Sequence, residues 1–509
     1  MYDVIIIGAG VGGLSCASKL ALSGKKVLIL EKIHHIGGTS HIFKRGDFYF
    51  PMGPLSFSFP NFVKLMLKDI GIQEDIKFKR NHFQLITPEL DIIYSQDWNK
   101  FKERLKKIFP QDREGIEKFF IEFKKLIKAI SEIYTWHPEF LIGTKFKKGD
   151  KELIKKYKQD YDLIEKYAKI SSKSILDYNL KTDSLKRLLG TQGSFEPIMN
   201  MVHLAFMWNI MSIEGIWFPS CGIHGINNLL KKCFLKHKGE IKLNTAVEQI
   251  LIENNKAVGV KTSAGHIYRA NWIVANADYK KIFLELIDPE KVPTLYLDTI
   301  RNTPYTGSDL SVYLGIDPLK VDLSKIKADH LFYRKKIQKI KKKIPEDFEN
   351  KEIEICVWSN KLNNFAPKGM ISLVIRVNMP YEYFKPWRIG EKKRKEGYIA
   401  FKYSLAEKLI ETVEEILPGL KTSIMTMEVA TPLTYQDWGQ RFNGSVAGWS
   451  RDIRKIRIRK KVLSETPIEN LFTVGIYSVL EPFLGGYPVS IYTGCSVADL
   501  ILNKKLKKN

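Results

Sequence analysis

The stretch YDVIIIGAGVGGLSCASKLALSGKKVLILE, residues 2–31, decides the fold of this 509-residue chain. Its first six residues form an apolar, β-branched run that predicts a strand, and the segment Gly8–Gly13 follows directly as a tight turn. Leu14–Leu22 has the pattern of a helix, and Lys26–Leu30 is a second apolar run that ends at Glu31. The order strand, glycine turn, helix, strand predicts a βαβ unit.

The glycines of this unit have separate roles. Gly8 permits the sharp turn, Gly10 lets backbone N–H groups approach a pyrophosphate, and Gly13 lets the helix pack closely on its strand. Glu31 stands 23 positions after Gly8, where a carboxylate accepts hydrogen bonds from ribose hydroxyls and repels a 2′-phosphate. The pattern therefore predicts a dinucleotide site, and by itself it leaves open whether the dinucleotide is FAD or NAD.

Composition and charge narrow the class of protein. The 44% hydrophobic and 12% aromatic content is that of a folded globular chain, long enough for two or three domains. The net charge of +25 attracts the protein to an anionic surface. Because no zinc-ligand spacing, RNA-binding signature or basic zipper occurs, we expect no nucleic-acid partner. An anionic membrane surface fits the charge, and the alternative is a lysine-rich protein with solvated basic faces.

The cysteines and apolar segments bear on location. Five cysteines without a CxxC pair indicate neither a disulfide framework nor a structural zinc site, so we expect a reducing, cytoplasmic compartment. The apolar stretch Val4–Ile7 is too short for a secretory signal. The later apolar window Ile198–Ile213 is shorter than the roughly 20 residues that cross a bilayer. The sequence thus predicts no membrane span, and we expect peripheral attachment at the cytoplasmic membrane face.

The rest of the chain changes pattern several times. Residues 60–215 carry long, charged, amphipathic stretches with few strand signals, which predict a helical insertion. Strand patterns return between Glu240 and Ala275 and predict a small β-meander. Residues 285–450 combine strands with a helix and predict a second, mixed domain. The closing part predicts a strand at Leu471–Val474, a turn at Gly485–Pro488 and a helix to about Leu502.

Several ordered motifs resemble those of one flavoprotein group. They are Gly37-Gly38-Thr39-Ser40, Trp217–Ile223, Asn276-Ala277-Asp278, Asn364–Gly369, Ala430-Thr431-Pro432, Arg441-Phe442, Leu471–Gly475 and Gly485–Pro488. In order and spacing they resemble the phytoene desaturases, carotenoid cis–trans isomerases and retinol saturases, a branch of the flavin amine oxidase superfamily. The resemblance runs nearly from end to end of the chain, and it points to FAD as the dinucleotide.

This resemblance implies an α/β fold, with a Rossmann-like FAD-binding domain of the two-dinucleotide-binding flavoprotein type. Residues 1–60, 215–285 and 455–509 are expected to assemble that discontinuous domain. Residues 60–215 would form the helical, membrane-facing insertion, and residues 285–455 a mixed α+β substrate domain.

The fingerprint and the resemblance together give a set of expected FAD-binding residues. They are Gly8, Gly10, Val11, Gly12, Gly13, Glu31, Lys32, Gly37, Gly38, Thr39, Gly53, Pro54, Val247, Gly475, Gly486, Tyr487, Pro488 and Val489. No catalytic residue and no metal ligand is predicted.

The chain departs from the family pattern at three places. Ile476 stands where many relatives carry an acidic residue, and Phe50-Pro51-Met52-Gly53-Pro54 replaces their Phe-Asp-x-Gly-Pro. We therefore expect the backbone to supply much of the flavin binding. Cys221 replaces a usual glycine close to the expected position of the isoalloxazine, and we interpret it as a buried, inert thiol.

The closing helix has a physical role apart from the family. Pro488 suits the first turn of a helix, whose N–H groups and positive dipole end attract an anion. A reduced flavin is anionic at N1, so a helix beginning there would stabilise the hydroquinone. The alternative is an ordinary terminal helix.

No acid/base dyad or metal cluster stands out in the sequence. The histidines lack paired ligand spacing and are interpreted as structural or surface residues: His34, His35, His41, His203 and His224. This absence suits a hydride transfer between substrate carbon and flavin, for which the protein supplies orientation and a dry cavity. The aromatic and Met-rich stretch Met199–Met211 is compatible with an apolar tunnel and equally with core packing.

These observations predict an FAD-dependent oxidoreductase that acts on carbon–carbon bonds of a polyene or polyprenyl substrate by desaturation, saturation or isomerisation. Two alternatives stay open. One is a flavin amine oxidase, and the other is a non-catalytic lipid-binding protein that FAD stabilises. The oligomeric state is not readable from the sequence.

Overall fold

The computed structural model describes residues 1–53, 56–94, 97–136, 151–190, 197, 199–337, 344–358, 365–452, 454–460, 462–480 and 485–504. Its strands are β1 Tyr2–Ile7, β2 Val27–Leu30, β3 Ile42–Arg45, β4 Phe48–Pro51, β5 Phe78–Asn81, β6 Phe83–Ile86, β7 Asp91–Ile93, β8 Ile216–Pro219, β9 Glu240–Lys242, β10 Val247–Glu253, β11 Lys256–Thr262, β12 Ile267–Ala275, β13 Ser308–Ile316, β14 His330–Tyr333, β15 Ile353–Val357, β16 Ile371–Met379, β17 Arg388–Gly390, β18 Lys393–Arg394, β19 Ile424–Ala430 and β20 Leu471–Thr473.

The α-helices are α1 Val11–Leu22, α2 Pro60–Asp69, α3 Trp98–Ile108, α4 Arg113–Trp136, α5 Lys151–Ala168, α6 Ser172–Asn179, α7 Asp183–Gly190, α8 Met201–Asn209, α9 Gly222–Lys236, α10 Tyr279–Leu284, α11 Thr294–Asn302, α12 Tyr381–Phe384, α13 Tyr398–Glu414, α14 Leu420–Ser423, α15 Pro432–Asp437 and α16 Gly486–Asn503. Among the described residues α8 continues into a π-helical turn, Ile210–Glu214.

The predicted βαβ unit is confirmed and lies at the centre of the first sheet. β1 pairs in parallel with β2 on one side and with β12 on the other. β20 pairs in parallel with the end of β12, and β9 with β2, so distant parts of the chain meet in one parallel sheet. The meander β10, β11 and β12 is antiparallel, as predicted. The bounds of the discontinuous FAD domain stay a prediction.

Alternation along β1 places its side chains in two cores. Val4 and Ile6 belong to the cluster that α1, α9 and α16 cover, whereas Ile5 and Ile7 face the opposite cluster. Both faces are buried, because these helices cover the first face, and the meander strands β10 and β11 with the helices α10 and α11 cover the second. The helix α16 approaches α1 closely at Gly494, where a Cβ atom would lie 2.5 Å from the carbonyl oxygen of Gly12.

The second sheet has seven strands in the order β19, β13, β16, β15, β14, β6, β7. Its pairs are antiparallel except for β14 with β6. The helix α13 packs on this sheet through Leu405 and Leu409. The strands β13, β15, β16 and β19 agree with the mixed domain read from the sequence. The strands β3 to β8, β14, β17 and β18 were missed because each is two to four residues long and shows no clear alternation.

The predicted helical insertion, residues 60–215, is helical from Trp98 onward over its described residues, whereas β5, β6 and β7 lie between residues 78 and 93 and contradict the prediction there. Its core is strongly aromatic and includes Trp98, Phe119, Phe120, Phe123 and Trp208, all buried. Over the described part of the chain, none of the helices has the length and hydropathy needed to cross a membrane.

The two densest basic segments of the chain, Arg334–Lys343 and Arg451–Lys461, differ from the expectation of exposed cationic surfaces. Arg334 is only 3% exposed and forms an ion pair with Glu352, and Arg451 points inward toward Met207. Burial lowers the pKa of Arg451 to about 10. Residues 338–343, 453 and 461 and the last lysines, Lys505, Lys507 and Lys508, lie outside the described residues. Arg457 and Arg459 are exposed, so a smaller basic surface exists near the end of the second segment.

Candidate functional site

The glycine turn and Glu31 form one hydrogen-bonded unit. The carboxylate of Glu31 is 8% exposed; its Oε2 accepts the backbone N–H of Ala9 at 2.6 Å, and its Oε1 accepts that of Ile33 at 3.0 Å. Burial raises the pKa of Glu31, although these N–H groups act in the opposite direction. Glu31 therefore fixes the shape of the turn as well as facing the cavity beside it.

That cavity has a volume of about 560 Å³ and runs along the carboxyl ends of β1 and β2. A crevice at this edge of a doubly wound sheet is the usual place for a nucleotide. The structure places most of the sequence-predicted residues in its wall: Gly8, Gly10, Val11, Gly12, Glu31, Lys32, Gly37, Gly38, Thr39, Val247, Gly475, Gly486 and Tyr487.

The other predicted residues do not line this cavity. Gly13 packs α1 against its own strand, since a Cβ atom there would lie 2.2 Å from the Gly8 carbonyl oxygen. Gly53 lines a smaller, adjacent cavity, and Pro488 and Val489 are buried in the first turn of α16. Pro54 lies outside the described residues.

The wall of the large cavity is shaped by close backbone approaches. A Cβ atom on Gly10 would lie 2.6 Å from Asn276 Nδ2, and one on Gly12 would lie 2.9 Å from the backbone nitrogen of Gly475. Gly475 has a φ of +97°, which side-chain-bearing residues rarely adopt. Because these glycines have no side chains, the cavity leaves room for a group that contacts the backbone N–H groups directly, as a dinucleotide phosphate does.

Two helix N-termini lie at this cavity. Gly10 is the N-cap of α1, and Gly485 is the N-cap of α16; no side chain caps either helix. The first N–H groups of a helix lack partners inside it, and the helix dipole makes this end positive. The N-terminus of α16, predicted from Pro488, thus faces the same cavity as the glycine fingerprint.

Arg441 and Asp278 join the wall to the loop after α15. Arg441 donates to Thr39 Oγ1 at 2.7 Å, and Asp278 accepts the backbone N–H of Phe442 at 2.9 Å and the hydroxyl of Tyr305 at 2.9 Å. Both residues line the cavity. The sequence marked them only as members of family motifs, because their partners stand more than 25 positions away.

Tyr487, a residue of the cavity wall, is held in place by a contact of its ring and a hydrogen bond of its hydroxyl. Its ring stacks on Phe57 with a centroid separation of 4.9 Å, and its hydroxyl donates to Asn227 Oδ1 at 3.0 Å. Asn227 in turn donates to the carbonyl oxygen of Ser40 at 2.6 Å. Burial holds the pKa of Tyr487 well above its usual range, so the hydroxyl stays protonated.

A second, smaller cavity shares Thr39, Arg441 and Val446 with the large one. Its far wall is polar, in contrast to the sequence expectation of no acid/base or ligand set: His330, Glu354, Cys356, Arg376 and Tyr435 line it. No local motif could reveal this group, because Tyr435 lies on α15 and the other four residues come from the adjacent strands β14, β15 and β16.

Two smaller expectations are corrected by the structure. Cys221 is exposed rather than buried, because it precedes α9 in a turn. The histidines are not all isolated: the rings of His35 and His41 stack at 4.1 Å, and His34 lies edge-on to His35 at 5.0 Å. Burial, together with the neighbouring histidines, lowers the pKa of His41 to about 4.

Comparison with known proteins identifies what the chain is similar to. The profile of the family described as "Flavin containing amine oxidoreductase" matches residues 11–396. The chloroplastic prolycopene isomerase of Daucus carota is 27% identical over 494 residues, which cover 93% of this chain and 76% of the relative. The all-trans-retinol 13,14-reductase of Danio rerio is 24% identical over 550 residues, which cover 99% of this chain and 86% of the relative.

A solved structure shows the same fold. Putrescine oxidase bound to putrescine superposes with a TM-score of 0.62 at 14% identity, covering 99% of each chain. The α/β fold predicted from the sequence, with a Rossmann-like FAD-binding domain, is confirmed, and so is FAD as the cofactor.

Proposed function

Because the chain belongs to the family of flavin containing amine oxidoreductases and is an FAD-dependent enzyme, we propose that it acts on carbon–carbon bonds of an apolar polyene or polyprenyl substrate. The reaction is a desaturation, a saturation or a cis–trans isomerisation. The observation that carries this proposal is the end-to-end similarity to a prolycopene isomerase and to a retinol reductase, both named for such substrates.

The residues of the large cavity fit FAD. Glu31 would accept hydrogen bonds from the ribose, and the N-terminus of α1 with Gly10 and Gly12 would hold the pyrophosphate. The N-terminus of α16, with Gly486 and Tyr487, would stabilise negative charge on the ring system. When bound, FAD supplies the two-electron chemistry, and the chain binds it, orients the substrate and excludes water.

An aromatic cavity of about 380 Å³ supports an apolar substrate. Its wall contains Tyr94, Trp98, Phe101 and Trp208, and its rim carries Lys100, Arg104 and Lys327. Trp208 belongs to the stretch for which tunnel lining and core packing were both open, and it does both: it is 2% exposed and still borders the cavity. We propose that the far end of a long polyene enters here.

Catalysis on such a substrate depends on positioning. An isolated polyene has no strongly acidic proton, so orientation against the cofactor in a dry site lowers the barrier most. The loop held by Arg441 and Thr39 lies between the large and small cavities. We propose that this contact fixes the wall against which the reacting part of the substrate rests.

The test is an anaerobic assay of the purified holoenzyme. The oxidised enzyme is mixed with phytoene-like, lycopene-like, retinol-like and polyprenyl substrates, and bleaching of the flavin is recorded. The same panel is given to pre-reduced enzyme, and products are identified by chromatography. We expect one polyene to bleach the flavin, or to be saturated or isomerised by the reduced form. Flavin reduction by amines such as putrescine, with no product from any polyene, would establish the amine oxidase alternative instead.

We also propose that the protein works in the cytoplasm as a peripheral membrane protein. The supporting observations are the net charge of +25 and the apolar substrate class. Since Arg334 and Arg451 are directed inward, the contact would use exposed cations such as Arg457 and Arg459.

A further inference from the structure

On the second sheet, one polar atom from each of three side chains lies within hydrogen-bonding distance of the other two. His330 Nδ1 lies 3.2 Å from Cys356 Sγ and 3.2 Å from Glu354 Oε1, and the sulfur lies 3.4 Å from the same carboxylate oxygen. The three atoms thus form a nearly equilateral triangle. Imidazole, thiolate and carboxylate are the ligands that zinc proteins use.

The size of this triangle matches one face of a zinc coordination tetrahedron. Bond lengths near 2.0 Å to nitrogen and oxygen and near 2.3 Å to sulfur give ligand separations of about 3.3 Å for the N and O pair and about 3.5 Å for pairs that include sulfur. The observed separations are 3.2 Å for the N and O pair, 3.2 Å for the N and S pair and 3.4 Å for the O and S pair, all within about 0.3 Å of these values.

The surroundings orient the carboxylate for this role. Glu354 directs Oε1 toward the histidine and the cysteine, while its Oε2 accepts from Arg376 Nε at 2.8 Å. The arginine in turn lies 3.7 Å from Asp309. Partners of this kind, one step away from the ion, commonly fix the orientation of metal ligands.

The local charges also favour a cation. The carboxylates of Glu354 and Asp309 carry two negative charges, and both lie against the single positive charge of Arg376 in a partly buried place. A divalent ion bound by a thiolate adds a net single positive charge and makes the group neutral. Buried charges are tolerated when they are balanced in this way.

We propose that His330, Glu354 and Cys356 form a binding site for a single Zn²⁺ ion, with a fourth position that opens into the small cavity. Three protein ligands and one open position are typical of zinc sites that bind water or a ligand oxygen. The cavity has a volume of about 80 Å³, enough for water, and shares Thr39 and Arg441 with the FAD cavity.

These three ligands form no recognisable sequence motif, because they lie on two different strands. Glu354 and Cys356 are two apart on β15, and His330 faces Cys356 across the antiparallel pairing of β14 with β15. Residues two apart on a strand point to the same face, so pairing alone brings the third ligand to the first two. This inference concerns a metal ion and does not depend on the polyene reaction.

The test measures metal content and thiolate ligation on the full-length holoenzyme. The protein is stripped with a chelator, given Zn²⁺ and passed through a desalting column, and the bound metal is quantified by mass spectrometry. We expect about one Zn²⁺ per chain to be retained. In a parallel sample Co²⁺ replaces Zn²⁺, and we expect a thiolate-to-cobalt charge-transfer band together with ligand-field bands at wavelengths beyond the flavin absorption.

Variants identify the ligands and exclude other histidines. Cys356→Ser should lose the charge-transfer band and His330→Gln the bound metal, each with FAD content unchanged as evidence of folding. Asp309→Asn, which removes no ligand, and His41→Gln, which removes a histidine that stacks on His35, should both keep the band. Wild-type protein that binds no stoichiometric Zn²⁺, or whose cobalt form lacks the thiolate band, would overturn the proposal.

Discussion

Replacing Glu31 with glutamine is expected to weaken FAD binding much more than it destabilises the fold. The substitution preserves the shape of the side chain and removes its charge. Glu31 is 8% exposed and accepts the backbone N–H groups of Ala9 and Ile33 at 2.6 and 3.0 Å. An amide has only one acceptor oxygen, so one of these N–H groups would face an NH₂ donor.

The magnitude follows from these contacts. A hydrogen bond to a charged group contributes about 1.5–3 kcal/mol, and a buried donor without an acceptor costs about 1–3 kcal/mol. Because the bond from Ala9 lies within the glycine turn, the loss falls on the conformation that receives the dinucleotide. A loss of about 1.5–3 kcal/mol raises the Kd for FAD by roughly 10- to 150-fold.

The assay is a titration of deflavinated protein with FAD, followed by quenching of flavin fluorescence and checked by calorimetry. Glu285→Gln is the matched control, since Glu285 lines the same cavity without holding the glycine turn. We expect its Kd to stay within about threefold of the wild-type value. Thermal unfolding of the FAD-free proteins separates loss of binding from loss of folding.

Two results would refute this reasoning. One is a Kd for Glu31→Gln within about threefold of wild type, which would show that the carboxylate does not organise the turn. The other is an equal weakening in Glu285→Gln, which would show that general cavity charge, and not the Ala9 contact, controls affinity.

Three further outcomes are expected. Gly12→Ala should lower the flavin-to-protein absorbance ratio at least about tenfold, since its Cβ would lie 2.9 Å from the Gly475 nitrogen. Gly390→Ala is the control and should leave this ratio unchanged, because its Cβ would have no contact closer than 3.5 Å. Burial lowers the pKa of Lys351 from 10.5 to about 7, so the buried ammonium destabilises the folded state increasingly as the pH falls from about 10.5 to about 7. Chemical denaturation should therefore show that Lys351→Met stabilises the fold by roughly 2–3 kcal/mol more at about pH 6 than at about pH 9. Flotation with anionic liposomes should fall as salt rises and should fall further in Arg457→Ser; recovery that is independent of salt would argue against electrostatic attachment.

Local sequence was sufficient wherever neighbours along the chain decide the structure. Residues 2–31 predicted the central βαβ unit, because hydrophobic periodicity and glycine conformation act over a few residues. Pro488 and the glycines before it placed the N-terminus of α16 correctly. By contrast, short strands such as β5, β6, β7 and β14 form because neighbouring strands pair with them. Their hydrophobic alternation is too short to predict a strand.

What the sequence by itself determined, then, is the fold class, the cofactor and the glycine loop with Glu31, since each depends on residues within one βαβ unit or on a motif of fixed spacing. Only the tertiary structure decided which distant residues share a wall. It joined Thr39 to Arg441 across 402 positions, and it assembled His330, Glu354 and Cys356 from two paired strands. The physical reason is that strand pairing and loop packing set these distances, and a side chain's position in the chain carries no information about its partner across a sheet.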